Sequence, residues 1–320
     1  MIESDIQWLF QWLQDFTNGV LSPFSFPFDP ARRLYWGAII SALLCIVFFV
    51  WQRHGKFNLS LLKRYVGGRQ YWWHPSARLD YQLWFLNAGI KVVFITPLLV
   101  AKLVVAVGVA AGLRDMFGGV LQGSNLNIQL PTPVVIALFS ICLFVAEDFS
   151  RFLLHWCMHR VPCLWNIHKV HHTAEVLTPV TLYRSHPLEL LLAAWRNLLV
   201  VGGVSGVFLF LFEGQISTWE VLGVDLLGML FNLAAANLRH SHIRLSFGGF
   251  ESIFISPRMH QVHHSRARHH YDKNFGSCLS IWDRLWRTYY QPADHEQCKF
   301  GVEGESSTRL IHHYLMPFRK

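Results

Sequence analysis

A chain of 320 residues that is 52% apolar and only 15% Asp, Glu, Lys and Arg falls well below the roughly 25% charged share of a soluble domain and reads as a membrane protein. Its net charge of +8 invites a nucleic-acid reading. The basic residues, however, lie between apolar stretches and around histidines rather than in a separate basic domain, so basic loops facing anionic lipid are the plainer account. Six cysteines without a CxxC pair, two of them inside apolar stretches, suggest neither a disulfide framework nor a thiolate zinc site.

In chain order, the acidic, aromatic N-terminus lacks the basic region and small-residue site of a cleaved signal peptide. A bilayer core takes about 20 mostly apolar residues per helix, and five stretches qualify: residues 34–51, 83–113, 133–155, 190–212 and 216–238. The second is long enough to tilt or break and carries Lys91 and Lys102, whose stems are expected to snorkel to the interface. The last two are joined by Glu213-Gly214-Gln215, which predicts a tight antiparallel hairpin.

Charge orients the spans. The loop over residues 52–82 holds Arg53, Lys56, Lys63, Arg64, Arg69 and Arg78 and is expected in the cytoplasm, whereas the Gly/Asn/Gln-rich loop over 114–132 is expected outside. Alternation then puts the N-terminus outside and everything after residue 238 inside. The expected fold is an all-α, multi-pass transmembrane bundle of about five spans with a cytoplasmic helical cap. Its expected parts are an N-terminal segment over 1–130, a catalytic domain over 131–290 and a C-terminal cytoplasmic tail over 291–320. A soluble protein with buried helices is the alternative, supported mainly by Lys91 and Lys102.

The 18 histidines are unevenly placed. Three clusters stand out: HxxxH at His155 and His159, HxxHH at His168, His171 and His172, and HxxHH at His260, His263 and His264. Residues at i, i+3 and i+4 share one helix face, so each cluster presents two or three imidazoles together. Imidazole suits Zn, Cu, Fe and Ni alike. Eight cluster histidines plus His240 exceed the four ligands of a tetrahedral zinc site, so the number fits two metal ions with open positions. The clusters sit just past span ends, at the depth where a lipid reaches the cap, and polar residues there are usually functional. His54, His74, His295, His312 and His313 read as isolated surface or core residues, and His269 and His270 are left undecided.

The block over residues 146–290 contains AEDFSRFLLHWCMHRVPCLWNIHKVHH, RSHPLE, NLRHSHI and SPRMHQVHHSRARHHYDKNFGSCLSIWDRLWRTYY. With only eight residues between His159 and His168, it resembles the fatty acid hydroxylase/sterol desaturase superfamily of membrane di-iron enzymes; residues 1–130 carry no family signature beyond hydrophobicity. The resemblance implies that His155, His159, His168, His171, His172, His260, His263 and His264 bind two Fe ions, for which Zn is a substitute in purified protein. It places His240 as a further ligand. Some members supply another histidine four residues earlier, where this chain has Ala236, and His242, His186 or a water are the candidates to replace it. Ligating imidazoles usually donate their second N–H to a carboxylate or carbonyl, and Glu147, Asp148, Glu175, Asp272 and Asp283 lie close enough in sequence to serve. Arg184 and His186 either line the site or anchor the fourth span.

The activity so implied is hydroxylation or desaturation of a lipid C–H bond with O2. Electrons come from an external donor, a reductase or a pterin, because no flavin, haem or iron–sulfur motif is present. An ether-lipid cleaving (alkylglycerol-type) monooxygenase is the alternative within enzymes. A histidine-rich metal transporter or sensor is the alternative outside them, although transport favours ligands along the spans rather than crowded on one face.

Overall fold

The structure is a computed structural model describing residues 2–30, 32–56, 58–121, 130–212, 230, 233, 236–293 and 296–319. Among these residues the regular structure is helical, apart from one isolated antiparallel bridge between Phe254 and Leu279. The order is α1 (Ile2–Leu21), α2 (Trp36–His54), α3 (Leu59–Val66), α4 (Arg69–Trp72), α5 (Pro75–Ile90), α6 (Pro97–Leu121), α7 (Thr132–Arg160), α8 (Pro162–His172) and α9 (Pro187–Leu211). Three short helices follow: α10 (Pro257–His263), α11 (Ile281–Leu285) and α12 (Leu310–Leu315).

Among the described residues, three helices, α2, α7 and α9, meet both the length and the hydropathy needed to cross a membrane. They match the first, third and fourth expected spans. The second expected span is divided. Its helix runs to Ile90, loosens into a π-helical turn over Lys91–Ile95 and resumes at Pro97. Proline has no N–H to continue the ladder and its ring crowds the preceding turn, so the Thr96 N–H reaches back five residues to Lys91 O at 2.9 Å. Lys102, expected to snorkel, is instead buried, because α6 continues on both sides of it. The hairpin turn at Glu213-Gly214-Gln215 and nearly all of the fifth expected span lie outside the described residues.

Helices α6 and α9 approach closely through a GxxxG step. A Cβ on Gly202 would sit 2.6 Å from Val105 Cγ1, and one on Gly206 would sit 2.6 Å from the Ala106 carbonyl. Small residues that let backbones meet are the usual device for helix association in lipid, where burial of apolar surface drives little. The contacts advance together along both helices, so α6 and α9 run parallel, with α7 as the return stroke between them. Phe139 and Leu143 of α7 complete that core with Ala106, Val201 and Phe208.

Prolines punctuate the helices that matter for the site. Pro133, Pro162 and Pro257 each occupy the first turn of α7, α8 and α10, where their missing N–H costs nothing. Val161, preceding Pro162, is extended, as the residue before proline prefers. This single break folds α8 back against α7. Helix α7 has 29 residues, about 43 Å at 1.5 Å per residue, against a hydrocarbon core of about 30 Å. A span of that thickness counted from its N-terminus ends before the last two to three turns, which carry His155 and His159.

The C-terminal residues pack under this region. Met316 shares a buried cluster with Leu79 and Leu83 of α5 and Val170 of α8, flanked by Leu310 and Tyr314.

Gly206→Leu is expected to force α6 and α9 apart and lower stability by about 1–3 kcal/mol, whereas Gly203→Ala, whose Cβ meets nothing within 4 Å, is expected to be silent. Thermal unfolding of the two variants in detergent measures the difference; equal melting would show that the close approach is not where the pair is held.

Candidate metal centre

The helical spacing read from the sequence brings nine histidines into two adjoining groups. His155, His159, His168, His172 and His263 form one, and His171, His240, His260 and His264 the other; within each, one nitrogen per ring lies within 4.8 Å of all the others. The HxxxH pair faces the first group from α7. The two HxxHH helices split their residues: α8 gives His168 and His172 to the first group and His171 to the second, while α10 and its cap give His263 to the first and His260 and His264 to the second. The groups touch through His172 and His264, whose rings stack with centroids 4.7 Å apart.

The orientation of the rings is set from behind. Nδ1–H of His155 donates to Phe275 O at 2.8 Å, that of His171 to Arg184 O at 3.1 Å and that of His263 to Lys273 O at 2.9 Å. His168 Nδ1 lies 3.0 Å from a Glu189 carboxylate oxygen. A carbonyl only accepts, so in the first three rings the proton is on Nδ1 and Nε2 carries a lone pair. Burial and the neighbouring imidazoles hold the rings neutral: His168 is pushed down to about 3 and His171 to about 4, while His172, His240, His260, His263 and His264 fall well below the ordinary value.

These lone pairs converge without enough protons between them. His240 Nε2 lies 3.2 Å from His171 Nε2, 3.0 Å from His260 Nε2 and 3.2 Å from His264 Nε2; one nitrogen of a neutral ring cannot satisfy three such contacts by hydrogen bonding. His155 Nε2 and His263 Nε2 are buried with no hydrogen-bond partner, a costly arrangement for lone pairs that no cation meets. Nitrogens about 2.1 Å from a common ion stand about 3.0–3.4 Å apart at right-angled to tetrahedral coordination, which is the spacing around His240 and between His172 and both His159 and His168. The donor set fits a pair of divalent transition ions, one per group.

The other candidates from the sequence lie elsewhere. His186 caps α9, accepting from Leu188 N, and its Nε2 donates to Tyr314 O at 3.1 Å. His242 packs edge-on against Tyr71, centroids 4.5 Å apart. Neither joins a group, and Ala236 faces no substitute histidine among the described residues. Asp148 and Asp283 contact no ligating ring but act one step further out. Asp148 accepts from the Cys278 and Leu279 amides and Trp282 Nε1, and Asp283 from the Phe275 and Gly276 amides and Thr288 Oγ1. Together they fix the loop whose Lys273 and Phe275 carbonyls aim His263 and His155. Burial raises Asp283 to about 6.

Glu175 is exposed and Asp272 pairs with Arg160 at 3.3 Å, so neither reaches a ring. Glu147 binds Arg151 and Arg196. Arg184 is buried and contributes its carbonyl. Sequence reasoning missed Glu189 as the partner of His168; a carboxylate in the first turn of a helix reads as a capping residue, and only the fold brings it to the ring. The carbonyls of Lys273 and Phe275 leave no side-chain signal at all.

Of the remaining histidines, His269, His270 and Tyr290 surround one oxygen of Glu296 at 3.2, 2.5 and 2.9 Å, a carboxylate already supplied with donors. His313 is buried, His74 caps α5 and His312 bonds Glu305. His295 lies outside the described residues.

A cavity of about 290 Å³ opens directly over the first group, floored by histidines of both groups and walled by Trp165, Tyr271, Arg266, Asp272 and Glu303. Its walls mix charged side chains with the apolar surfaces of Trp165, Tyr271 and Val302.

In the metal-free protein, stability is expected to fall as pH drops from 7 toward 4. Between the ordinary value of 6.5 and the depressed values of His168 and His171, the unfolded chain takes up protons that the folded chain refuses, at most about 1.4 kcal/mol per histidine per pH unit. Melting temperatures from pH 7.5 to 4.5 measure this; a flat profile would contradict neutral buried rings.

Comparison with known proteins gives one pattern. The sequence model of the fatty acid hydroxylase family matches residues 140–288, which contain all nine histidines. An ornithine lipid hydroxylase of Rhizobium tropici is 25% identical over 179 residues, covering 55% of this chain and 49% of that one. Human alkylglycerol monooxygenase is 26% identical over 159 residues, covering 50% of this chain and 32% of the other. A Delta(7)-sterol 5(6)-desaturase of Eremothecium gossypii is 27% identical over 180 residues, covering 55% and 43%. The chain thus spans about half or less of the length of these relatives. No solved structure matches it.

Proposed function

Because residues 140–288 belong to the fatty acid hydroxylase family, we propose that this chain is an integral membrane oxygenase that hydroxylates or desaturates a lipid C–H bond at a pair of iron ions. The observation that carries this reading is the convergence of nine neutral imidazoles into two adjoining groups at the end of a membrane-length helix. His155, His159, His168, His172 and His263 hold one ion, and His171, His240, His260 and His264 the other. Bound there, iron supplies reductive activation of O2 and removal of hydrogen from an unactivated carbon. Hydroxylation consumes one O2, two electrons and two protons and releases one water, so an external reductase or pterin completes the reaction.

The chain's own residues do the rest. The carbonyls of Phe275, Lys273 and Arg184 keep the rings in the tautomer that presents Nε2, and Glu189 does the same for His168. In the four-histidine group a water or substrate takes the place that a further histidine would fill at Ala236. The cavity, with Arg266, Asp272 and Glu303 beside Trp165, Tyr271 and Val302, offers both charged and apolar contacts to an amphiphile. The basic residues ahead of α5 support a cytoplasmic position for this face.

A second reading is ether-lipid cleavage with a pterin donor, supported by the likeness to alkylglycerol monooxygenases of several animals. Lipid mass spectrometry of membranes with and without the gene, supplied with ¹⁸O₂, separates the two: a labelled hydroxylipid or an unsaturated one against a released aldehyde. Purified protein is expected to carry close to two irons. His171→Ala or His263→Ala is expected to insert normally and to lose at least a hundredfold in activity, with metal content falling as well. Undiminished turnover in both variants would remove the site from the chemistry.

A further inference from the structure

The family match begins at residue 140, yet a carboxylate well outside it is bonded into the histidine scaffold. Asp80 on α5 is fully excluded from solvent and accepts from Arg184 Nη1 at 2.7 Å and Thr181 Oγ1 at 2.6 Å. The guanidinium it holds is itself 1% exposed as a residue and has no water to fall back on.

Arg184 grips His171 from two directions. Its Nε donates to Val170 O and Thr173 Oγ1, both at 3.1 Å, and its Nη2 to Thr173 Oγ1 at 2.9 Å. Those partners bracket His171 and His172 at the C-terminal end of α8. Its main-chain carbonyl meanwhile accepts the Nδ1–H of His171 at 3.1 Å. The five-histidine group takes its orienting bonds from Phe275, Lys273 and Glu189 instead. Arg184 therefore bonds directly to one ring, His171, while its side chain holds the helix end that also carries His172.

We propose that Asp80 is a positioning residue for the four-histidine ion: it fixes Arg184, and through it the Nε2 of His171 toward His240, His260 and His264. This rests on the reading that the two groups hold metal ions. Without its counter-charge the buried guanidinium keeps only neutral acceptors, among them Ser76 O and Oγ at 3.2 and 3.4 Å, and any resettling among them shifts both Thr173 and the carbonyl behind His171. The N-terminal segment is thus part of the metal centre's support, although it supplies no ligand.

The test uses the full chain in detergent, stripped of metal and titrated anaerobically with Fe(II), then independently with Zn(II), by equilibrium dialysis with metal analysis. Wild type is expected to bind two ions. Asp80→Asn, which keeps the shape and loses the charge, is expected to bind one ion with unchanged affinity and the second about ten- to a hundredfold more weakly. Thr173→Val removes the Oγ acceptor without touching Asp80 and is expected to move the second ion in the same direction by a smaller factor. Should Asp80→Asn not fold, Thr173→Val decides alone. Equal affinity for both ions in the folded variants overturns the proposal, and so does equal weakening of both, which would mark general loosening of the fold. A wild-type protein that binds neither ion counts against the metal reading itself and is recognised before any variant is made.

Discussion

Nine imidazole rings buried with their lone pairs turned toward one another are the constraint from which the rest of the structure follows. Neutral rings repel at such distances unless cations stand between them, and a ring free to rotate would turn its nitrogen toward any donor within reach. The fold prevents that by fixing the far nitrogen of several rings to main-chain carbonyls or to Glu189. Burial keeps the protons off, and the backbone keeps the rings aimed. The cost of assembling such a site without metal is borne by the surrounding helices and loops, which accounts for the number of buried ionic contacts near it. Asp80 with Arg184 and Glu251 with Arg258 are both pairs with little access to water.

The loop over residues 272–288 is the second element of this arrangement. Asp272 and Asn274 both adopt left-handed backbone with φ of 58°, a conformation that Asn and Asp tolerate better than most residues. Asn274 is fully buried and ties the turn to Met259 O and Tyr290 O. Asp148 and Asp283 then hold the following amides. The peptide sequence DKNFG is thereby read as geometry: it turns two carbonyls inward and keeps Phe275 against His155 and His159, with centroids 5.5 and 5.0 Å away.

The three histidine clusters were legible because they are local. HxxxH and HxxHH are helical spacings, and a helix of the expected hand puts those residues on one face whatever else the chain does. Three apolar stretches were legible for the same reason, since hydropathy over 18 residues needs no tertiary information. The second stretch was read as one span because composition does not register the loosened turn before Pro97. The partners of the histidines were legible only where they lay in a motif. Asp148 and Asp283, expected beside the rings, bond the loop instead, Glu189 was hidden by its place in a first turn, and Asp80 lies 101 and 104 residues before Thr181 and Arg184, which it binds. Contacts of that range have no periodicity in the sequence to betray them.

Helix α7 passes from the apolar layer to the histidines as one uninterrupted rod of 29 residues, ending only at the extended Val161. Among its residues there is no proline after the first turn and no glycine, hence no joint that could absorb a change of angle. A bilayer a few ångströms thinner asks such a helix to lean, and the lean is delivered undamped to His155 and His159. Any tilt of this helix is in this way carried to the histidine groups, with the helix as the lever and the ring nitrogens at its tip.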